Sequence, residues 1–156
     1  MFLDCIDYND TIQDKLDRFF VNSFKSCGFS YEPLTNHVDL RNINTIFVNT
    51  GGGFWIIVQN DLIVGSAGLK IIDEIKGIGE LKCMYVLPNQ QKRGLGQKLL
   101  DKVLQESKCR DLNLIRLDVK VGADRALKLY MKNGFYEIPR YNDNQNDVIF
   151  MEKKIE

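Results

Sequence analysis

Histidine is scarce in this chain, and neither sign of charge is in excess. The 156 residues include one histidine, His37, and 21 basic against 21 acidic residues. A single histidine excludes a two-histidine metal site. Proteins that grip nucleic acid by its phosphates usually carry surplus Lys and Arg. We therefore predict no metal and no nucleic-acid partner.

Long apolar runs and clustered cysteines are also missing. No stretch approaches the ~20 apolar residues that span a bilayer, and the first residues lack the basic and apolar regions of a secretory signal. The cysteines at 5, 27, 83 and 109 are far apart, which indicates free thiols rather than a zinc site or a disulfide framework. We expect a cytoplasmic protein without membrane association, and its length fits one domain, residues 1–156.

Hydrophobic periodicity and turn residues predict alternating helices and strands. The predicted helices span 11–26, 37–44, 94–107 and 124–132, and the predicted strands span 1–6, 54–58, 62–72, 80–86, 112–119, 135–138 and 148–153. Thr11 is predicted to cap the first helix. Spacing in the last helix turns Tyr130 and Met131 inward. A strand–helix–strand unit within a run of hairpins favours an α/β fold with a mixed sheet and helices on both faces.

Residues 85–100 combine a strand end, a polar loop and a helix start. The first turn of a helix offers unpaired N–H groups and a positive dipole end, which suits a pyrophosphate. Gly94 and Gly96 would let phosphate oxygens approach the backbone. Nearby side chains that can add charge are Lys92, Arg93 and Lys98. A dinucleotide fingerprint does not fit, because Leu99 stands at its third glycine, and a helix that simply begins with glycines stays an alternative.

Four segments carry a resemblance to a known family. The segment Gln91-x-x-Gly94-x-Gly96 resembles the Gln/Arg-x-x-Gly-x-Gly/Ala motif of the GNAT family of N-acetyltransferases. Residues 126–135, with Leu129-Tyr130 and Gly134-Phe135, are similar to its late helix and Gly-Phe turn. The hairpin at 54–65 and the closing strand at 150–153 are similar as well. The resemblance covers the chain from about residue 50 to its end.

The resemblance implies the acyl-CoA N-acyltransferase fold, in which a mostly antiparallel sheet contains one splayed parallel pair of strands. That pair would be strands 80–86 and 112–119, with the pantetheine arm of acetyl-CoA between them. The residues that the resemblance places at acetyl-CoA are Met84, Tyr85, Val86, Gln91, Lys92, Arg93, Gly94, Leu95, Gly96, Gln97 and Lys98. One departure is Ala123, where many members carry an asparagine that contacts the cofactor.

The resemblance also implies catalytic roles. Tyr130 resembles the family's general acid, which protonates the departing CoA thiolate; spacing alone favours an inward aromatic side chain. Glu80 resembles an acidic residue that takes the proton of the amine, against the alternative of a solvated charge. Asp118 is a second acidic candidate. Strand alternation puts Glu80 on one face with Met84 and away from Cys83.

An acyl-cysteine route through Cys83 is disfavoured, because no histidine lies nearby in sequence to activate the thiol. We therefore expect transfer of acetyl from acetyl-CoA to a primary amine by direct attack. The acceptor is expected to be a small molecule or amino acid; a protein N-terminus, a lysine side chain, or a non-catalytic acyl-CoA sensor are the alternatives. Residues 10–50, 51–53 and 140–147 would decide specificity. Monomer and homodimer both stay open.

Overall fold

The computed structural model describes residues 3–156, and its elements follow the predicted order. The strands are β1 Cys5–Asp7, β2 Gly53–Gln59, β3 Leu62–Asp73, β4 Ile78–Val86, β5 Leu114–Lys120, β6 Tyr136–Ile138 and β7 Val148–Lys154. The helices are α1 Gln13–Ser26, α2 Leu95–Cys109 and α3 Asp124–Lys132. The first two residues of the predicted strand 1–6 lie outside the described residues.

The seven strands of the described part of the chain form one sheet in the order β1-β2-β3-β4-β5-β7-β6. Within residues 3–156, β4 and β5 are the one parallel pair, and their connection runs through α2. The neighbours of all other strands are antiparallel. This arrangement confirms the predicted mixed, mostly antiparallel sheet.

Alternation along the strands sends side chains to two separate cores. On β2, Trp55 packs with α2 and α3 on one face, whereas Phe54 packs with α1 on the other. The apolar stripe of α2, including Leu99, is buried in the first core, and that of α1, including Phe20, is buried in the second. The sheet therefore carries helices on both faces, as predicted.

The two parallel strands part after a short contact. Ladder pairs join Ile78–Glu80 of β4 to Leu114–Arg116 of β5 and go no further, although β4 continues to Val86. Three residue pairs is a short ladder for strands of nine and seven residues. The splay that the family resemblance implied is thus present in this chain.

A bulge in β4 reverses the faces of the sheet to which the side chains of its second half point. Ser66 of β3 pairs with Tyr85, but Gly68 pairs with Lys82, so β4 has an extra residue here. Cys83 adopts a left-handed backbone with φ +57°, and the hydroxyl of Ser66 donates to its carbonyl at 2.7 Å. A bulge reverses the alternation beyond it.

The alternation predicted for β4 is therefore wrong beyond Lys82. Met84 packs in the core on the α2 side, and Cys83 packs in the core on the α1 side. Leu81 lies in the α2-side core, so its neighbour Glu80 is on the α1 side, which it shares with Cys83. A single inserted residue has no signature in a hydrophobic pattern this short.

Three smaller expectations also fail. Asn9, not Thr11, provides the cap at the start of the first helical segment, since its side chain accepts the N–H of Thr11. The predicted helix at 37–44 is replaced by two short helical turns, Val38–Arg41 and Asn44–Val48. Met131 is exposed rather than inward, whereas Tyr130 beside it is buried.

We expect Ser66→Ala to destabilise the fold, because it removes a buried donor to the bulge carbonyl of Cys83. Leaving a buried acceptor unpaired costs about 1–3 kcal/mol, which urea unfolding measures directly. Ser26→Ala is the matched control, since its hydroxyl also donates to a backbone carbonyl but lies near the surface. Equal losses in the two variants would contradict a special role for Ser66.

Candidate functional site

The loop after β4 ends in an open helix N-terminus. Gly94 is the N-cap of α2 with φ +79°, a left-handed conformation, and no side chain caps this helix. A Cβ at Gly94 would meet no atom within 4 Å, and one at Gly96 would meet only Leu129, at 3.4 Å. The first amides of α2 therefore border open space, as a phosphate seat requires.

The side chain of Gln91 fastens this loop to its surroundings. Its amide nitrogen donates to the carbonyl of Val86 at 3.0 Å, and its amide oxygen accepts from Arg125 at 2.5 Å. The loop is thus tied both to the end of β4 and to α3. Arg125 is a contact that sequence reasoning missed, because its guanidinium comes from a helix 34 residues further along the chain.

Tyr130 is held on α3 in the core on the α2 side of the sheet. Its ring packs edge-to-face on Phe135 with centroids 5.7 Å apart, and 7% of the residue is exposed. Burial, and secondly the charge of Asp118, raise the pKa of Tyr130 well above its ordinary value. The phenol therefore stays protonated and can give a proton rather than take one.

Glu80 lies on the opposite face of the sheet and is also buried, with 7% exposed. The Tyr141 hydroxyl donates to its Oε2 at 2.6 Å. Asn142 Nδ2 donates to the same oxygen at 3.3 Å and to Oδ2 of Asp118 at 2.9 Å. The loop between β6 and β7 thus joins the carboxylates of the two parted strands.

This group borders an open cavity of about 510 Å³ on the α1 side of the sheet. Its lining residues are Lys70, Ile72, Asp73, Lys76, Ile78, Glu80, Leu114, Arg116, Tyr141 and Asn142. A cavity of similar size, about 540 Å³, lies at the far end of α2 around Leu104 and Lys153. The first cavity contains the buried carboxylate of Glu80, the last residue of β4 that pairs with β5, so it is the candidate acceptor site.

Comparison with known proteins identifies this arrangement. The model of the acetyltransferase (GNAT) family matches residues 10–135, which is most of the chain. The chain belongs to the GNAT family. The family resemblance inferred from residues 91–96 and 126–135 is thereby confirmed, and with it the fold class.

Two of the relatives that match by sequence are also named acetyltransferases. "Uncharacterized N-acetyltransferase YedL" of Escherichia coli is 30% identical over 96 residues, 60% of this chain and 59% of that protein. "IAA acetyltransferase" of Azospirillum brasilense is 27% identical over 91% of this chain and 87% of its own. The chain thus spans about three fifths of the first relative and most of the second.

Solved structures match over the whole GNAT domain. An acetyltransferase of the GNAT family from Staphylococcus aureus superposes with a TM-score of 0.89 at 28% identity, covering 99% of this chain and 100% of that one. The PaiA N-acetyltransferase from Thermoplasma acidophilum, a complex with coenzyme A, gives a TM-score of 0.76 at 21% identity over 99% of each chain. At that identity the second match shows the fold alone.

Among the other residues predicted to contact acetyl-CoA, Met84, Tyr85 and Val86 lie on β4 beyond its ladder with β5. The rest lie in the loop before α2 or on its first turns: Lys92, Arg93, Leu95, Gln97 and Lys98. Val86 packs in the core on the α2 side, as Met84 does. The ring of Tyr85 turns to the other core and packs on Phe24 at 5.1 Å. Burial raises the pKa of Tyr85, so this phenol also stays neutral.

Cys83 is nearer to Glu80 than strand alternation predicted, yet its chemistry is unfavourable for catalysis. Burial raises the pKa of the thiol to about 12, and the charge of Asp39 adds to that rise. The thiolate is the nucleophilic form. Among residues 3–156 no group of metal-binding side chains is found, and no helix there is long and apolar enough to cross a bilayer.

We predict that thiol labelling at pH 8 separates the cysteines into two classes. Cys27 and Cys109 are exposed and should react first, whereas Cys83 should react roughly a hundredfold more slowly, because its thiolate is scarce at that pH. Timed alkylation followed by peptide mass spectrometry measures each rate. Fast labelling of Cys83 would reopen the covalent route.

Proposed function

We propose that this GNAT chain transfers the acetyl group of acetyl-CoA to the primary amine of a small molecule or a free amino acid. The observation that carries the proposal is the opening between β4 and β5, with buried Glu80 on one face and buried Tyr130 on the other. A protein N-terminus or lysine is the second candidate acceptor, and a non-catalytic acyl-CoA sensor is the alternative function. A cytoplasmic location stays a prediction.

The residues present fit acetyl-CoA. The uncapped first turn of α2 would hold the pyrophosphate through its backbone N–H groups, since Gly94 leaves the space in front of them free. The parted strand edge, with Met84, Tyr85 and Val86, would take the pantetheine arm by backbone hydrogen bonds. Lys92, Arg93 and Lys98 would add positive charge at the phosphates. When bound, acetyl-CoA supplies an activated acetyl thioester.

Two protons must move for the transfer to proceed. In the proposed reaction Glu80 takes a proton from the acceptor amine, whose nitrogen then bonds to the acetyl carbon. The carbon–sulfur bond breaks, and Tyr130 gives its proton to the departing thiolate. A tyrosine at an ordinary pKa near ~10 is already a weaker acid than a thiol, so the buried Tyr130 needs to be close to the sulfur to serve.

Access to Glu80 favours a small acceptor over a protein. Tyr141 and Asn142 both contact the carboxylate from the loop above it, and the residue is almost wholly enclosed. The adjoining cavity of about 510 Å³ has the size of a small-molecule site. The cavity is lined by side chains of both charges, Lys70 and Arg116 on the one hand and Asp73 on the other. Such a lining suits a polar amine.

Gly94→Asp should abolish acetyl-CoA binding, because it puts a side chain and a negative charge where the pyrophosphate would lie. Calorimetric titration of the wild-type protein with acetyl-CoA should give affinity in about the micromolar range, with ATP much weaker. Gly28→Asp is the matched control: Gly28 also has a left-handed backbone, φ +83°, and open space, but it follows α1 on the other face. Normal binding by Gly94→Asp would contradict the phosphate seat.

Tyr130→Phe should lower turnover by roughly a hundredfold or more, because the departing thiolate loses its acid. Acetyl-CoA binding should stay near wild type. The assay is thiol release with a panel of alkyl amines, aryl-alkyl amines, diamines and free amino acids. Tyr8→Phe is the control, a similarly buried tyrosine outside the site. Binding without release for every amine would instead favour the sensor.

A further inference from the structure

Two residues of the β6–β7 loop reach the site from far along the sequence. Tyr141 lies 61 residues after Glu80 in the chain, yet its hydroxyl makes the shortest contact to that carboxylate, 2.6 Å. Asn142 makes a second contact to the same oxygen. Oε2 of Glu80 is therefore held by two donors, which leaves Oε1 for a substrate.

Tyr141 is itself fixed by neighbours on rigid strands. Its ring packs edge-to-face on buried Phe150 of β7, with centroids 5.4 Å apart. The guanidinium of Arg116 lies 5.4 Å from the ring centroid, and Glu152 holds that guanidinium with a contact of 3.0 Å. Strand side chains from β5 and β7 thus set the position of the phenol, although the residue itself belongs to a loop.

The phenol of Tyr141 is a permanent donor. Burial, followed by the charge of Glu80, raises the pKa of Tyr141 far above its ordinary value. The hydroxyl therefore keeps its proton over the whole pH range in which enzymes work. A hydrogen bond to the charged form of a carboxylate favours that form, and the charged form is the one that can accept a proton from an amine.

Asn142 links Glu80 to the second of the two parted strands, β5. Its Oδ1 accepts the backbone N–H of Asn144 at 3.0 Å, so its Nδ2 is the end that meets the carboxylates. One nitrogen then contacts both Glu80 of β4 and Asp118 of β5. The loop consequently fixes the distance between these two carboxylates at the point where the ladder between their strands has ended.

We propose that Tyr141 is a positioning residue for acetyl transfer: it holds Oε2 of Glu80 so that Oε1 is presented, charged, to the acceptor amine, while Asn142 fixes Glu80 relative to Asp118. The inference rests on the proposed function, because it assigns Glu80 as the base. It adds a role for a loop in which the sequence offers no motif.

Other charges surround Glu80 and must stay constant in a test. Lys70 and Arg116 are its partners in register on β3 and β5. The titratable and charged groups of the packed elements and of the adjoining cavity are Asp39, Lys70, Asp73, Lys76, Lys82, Cys83, Arg116, Asp118 and Glu152. Tyr141→Phe leaves all of them in place and removes a single hydroxyl.

Tyr141→Phe should lower kcat roughly tenfold with the best amine of the panel, since a charge-assisted hydrogen bond is lost. The acidic limb of its pH–rate profile should also move, because Tyr141 no longer donates to Oε2 of Glu80. Acetyl-CoA affinity should not change. A purely structural role would lower activity at every pH alike.

Tyr8→Phe is the matched control, because it also removes one buried phenol hydroxyl that donates to a carboxylate, that of Asp10 at 3.4 Å, but it leaves the groups that hold Tyr141 unchanged. It should keep the wild-type profile. In a Glu80→Gln background, Tyr141→Phe should have no further effect on kcat, since the two act as a unit.

Three results would overturn the proposal. An unmoved acidic limb in Tyr141→Phe would remove the positioning role, as would equal losses from Tyr141→Phe in the wild-type and Glu80→Gln backgrounds. A wild-type protein that releases no thiol with any amine would overturn the proposed function itself, and the positioning role with it. The cases are distinguishable, because the first two leave the wild-type protein active.

Discussion

The parting of β4 from β5 is the constraint on which the candidate site depends. A parallel ladder satisfies the backbone N–H and C=O groups of both strands, and buried groups without partners are costly. Here the ladder stops after Glu80, so the rest of β4 faces a gap. The protein satisfies one of these groups with its own side chain, since the amide nitrogen of Gln91 donates to the carbonyl of Val86. In the proposed complex, the amide groups of a pantetheine arm would satisfy others.

The parted strands also show how polar residues from both faces of the sheet would serve one site in the proposed reaction. Tyr130 belongs to the α2 side and Glu80 to the α1 side, which an unbroken sheet would separate. The charge of Asp118, on β5, still contributes to the raised pKa of Tyr130, so the two groups are close enough to interact electrostatically. The proposed reaction needs a base beside the amine and an acid beside the sulfur, and an opening in the sheet allows each to stand on its own side.

Much of this arrangement was predictable from the sequence, and the reason is physical. Periodicity reports which residues are buried, so the bounds of α3 and the presence of helices on both faces of the sheet followed from it. Gly94 was predicted at the start of a helix, and the structure places it at the left-handed N-cap of α2, a conformation that favours glycine. The bulge at Cys83 was not predictable, since one extra residue leaves the composition of the strand unchanged. Its consequence, the reversed facing of Met84, was therefore missed.

The contacts of Tyr141 and Asn142 escaped prediction for another reason. Both residues lie in a polar loop whose composition indicates a turn and nothing more, and their partners Glu80 and Asp118 are on strands far away in the chain. Part of the contact was visible in strand alternation, which puts Phe150 and Arg116 on the same face of the sheet as those two carboxylates. An aromatic ring on that face can pack against Phe150 and Arg116. Only the pairing of β5 with β7 brings these positions together. Long-range strand order, rather than local pattern, therefore decides which loop completes the site.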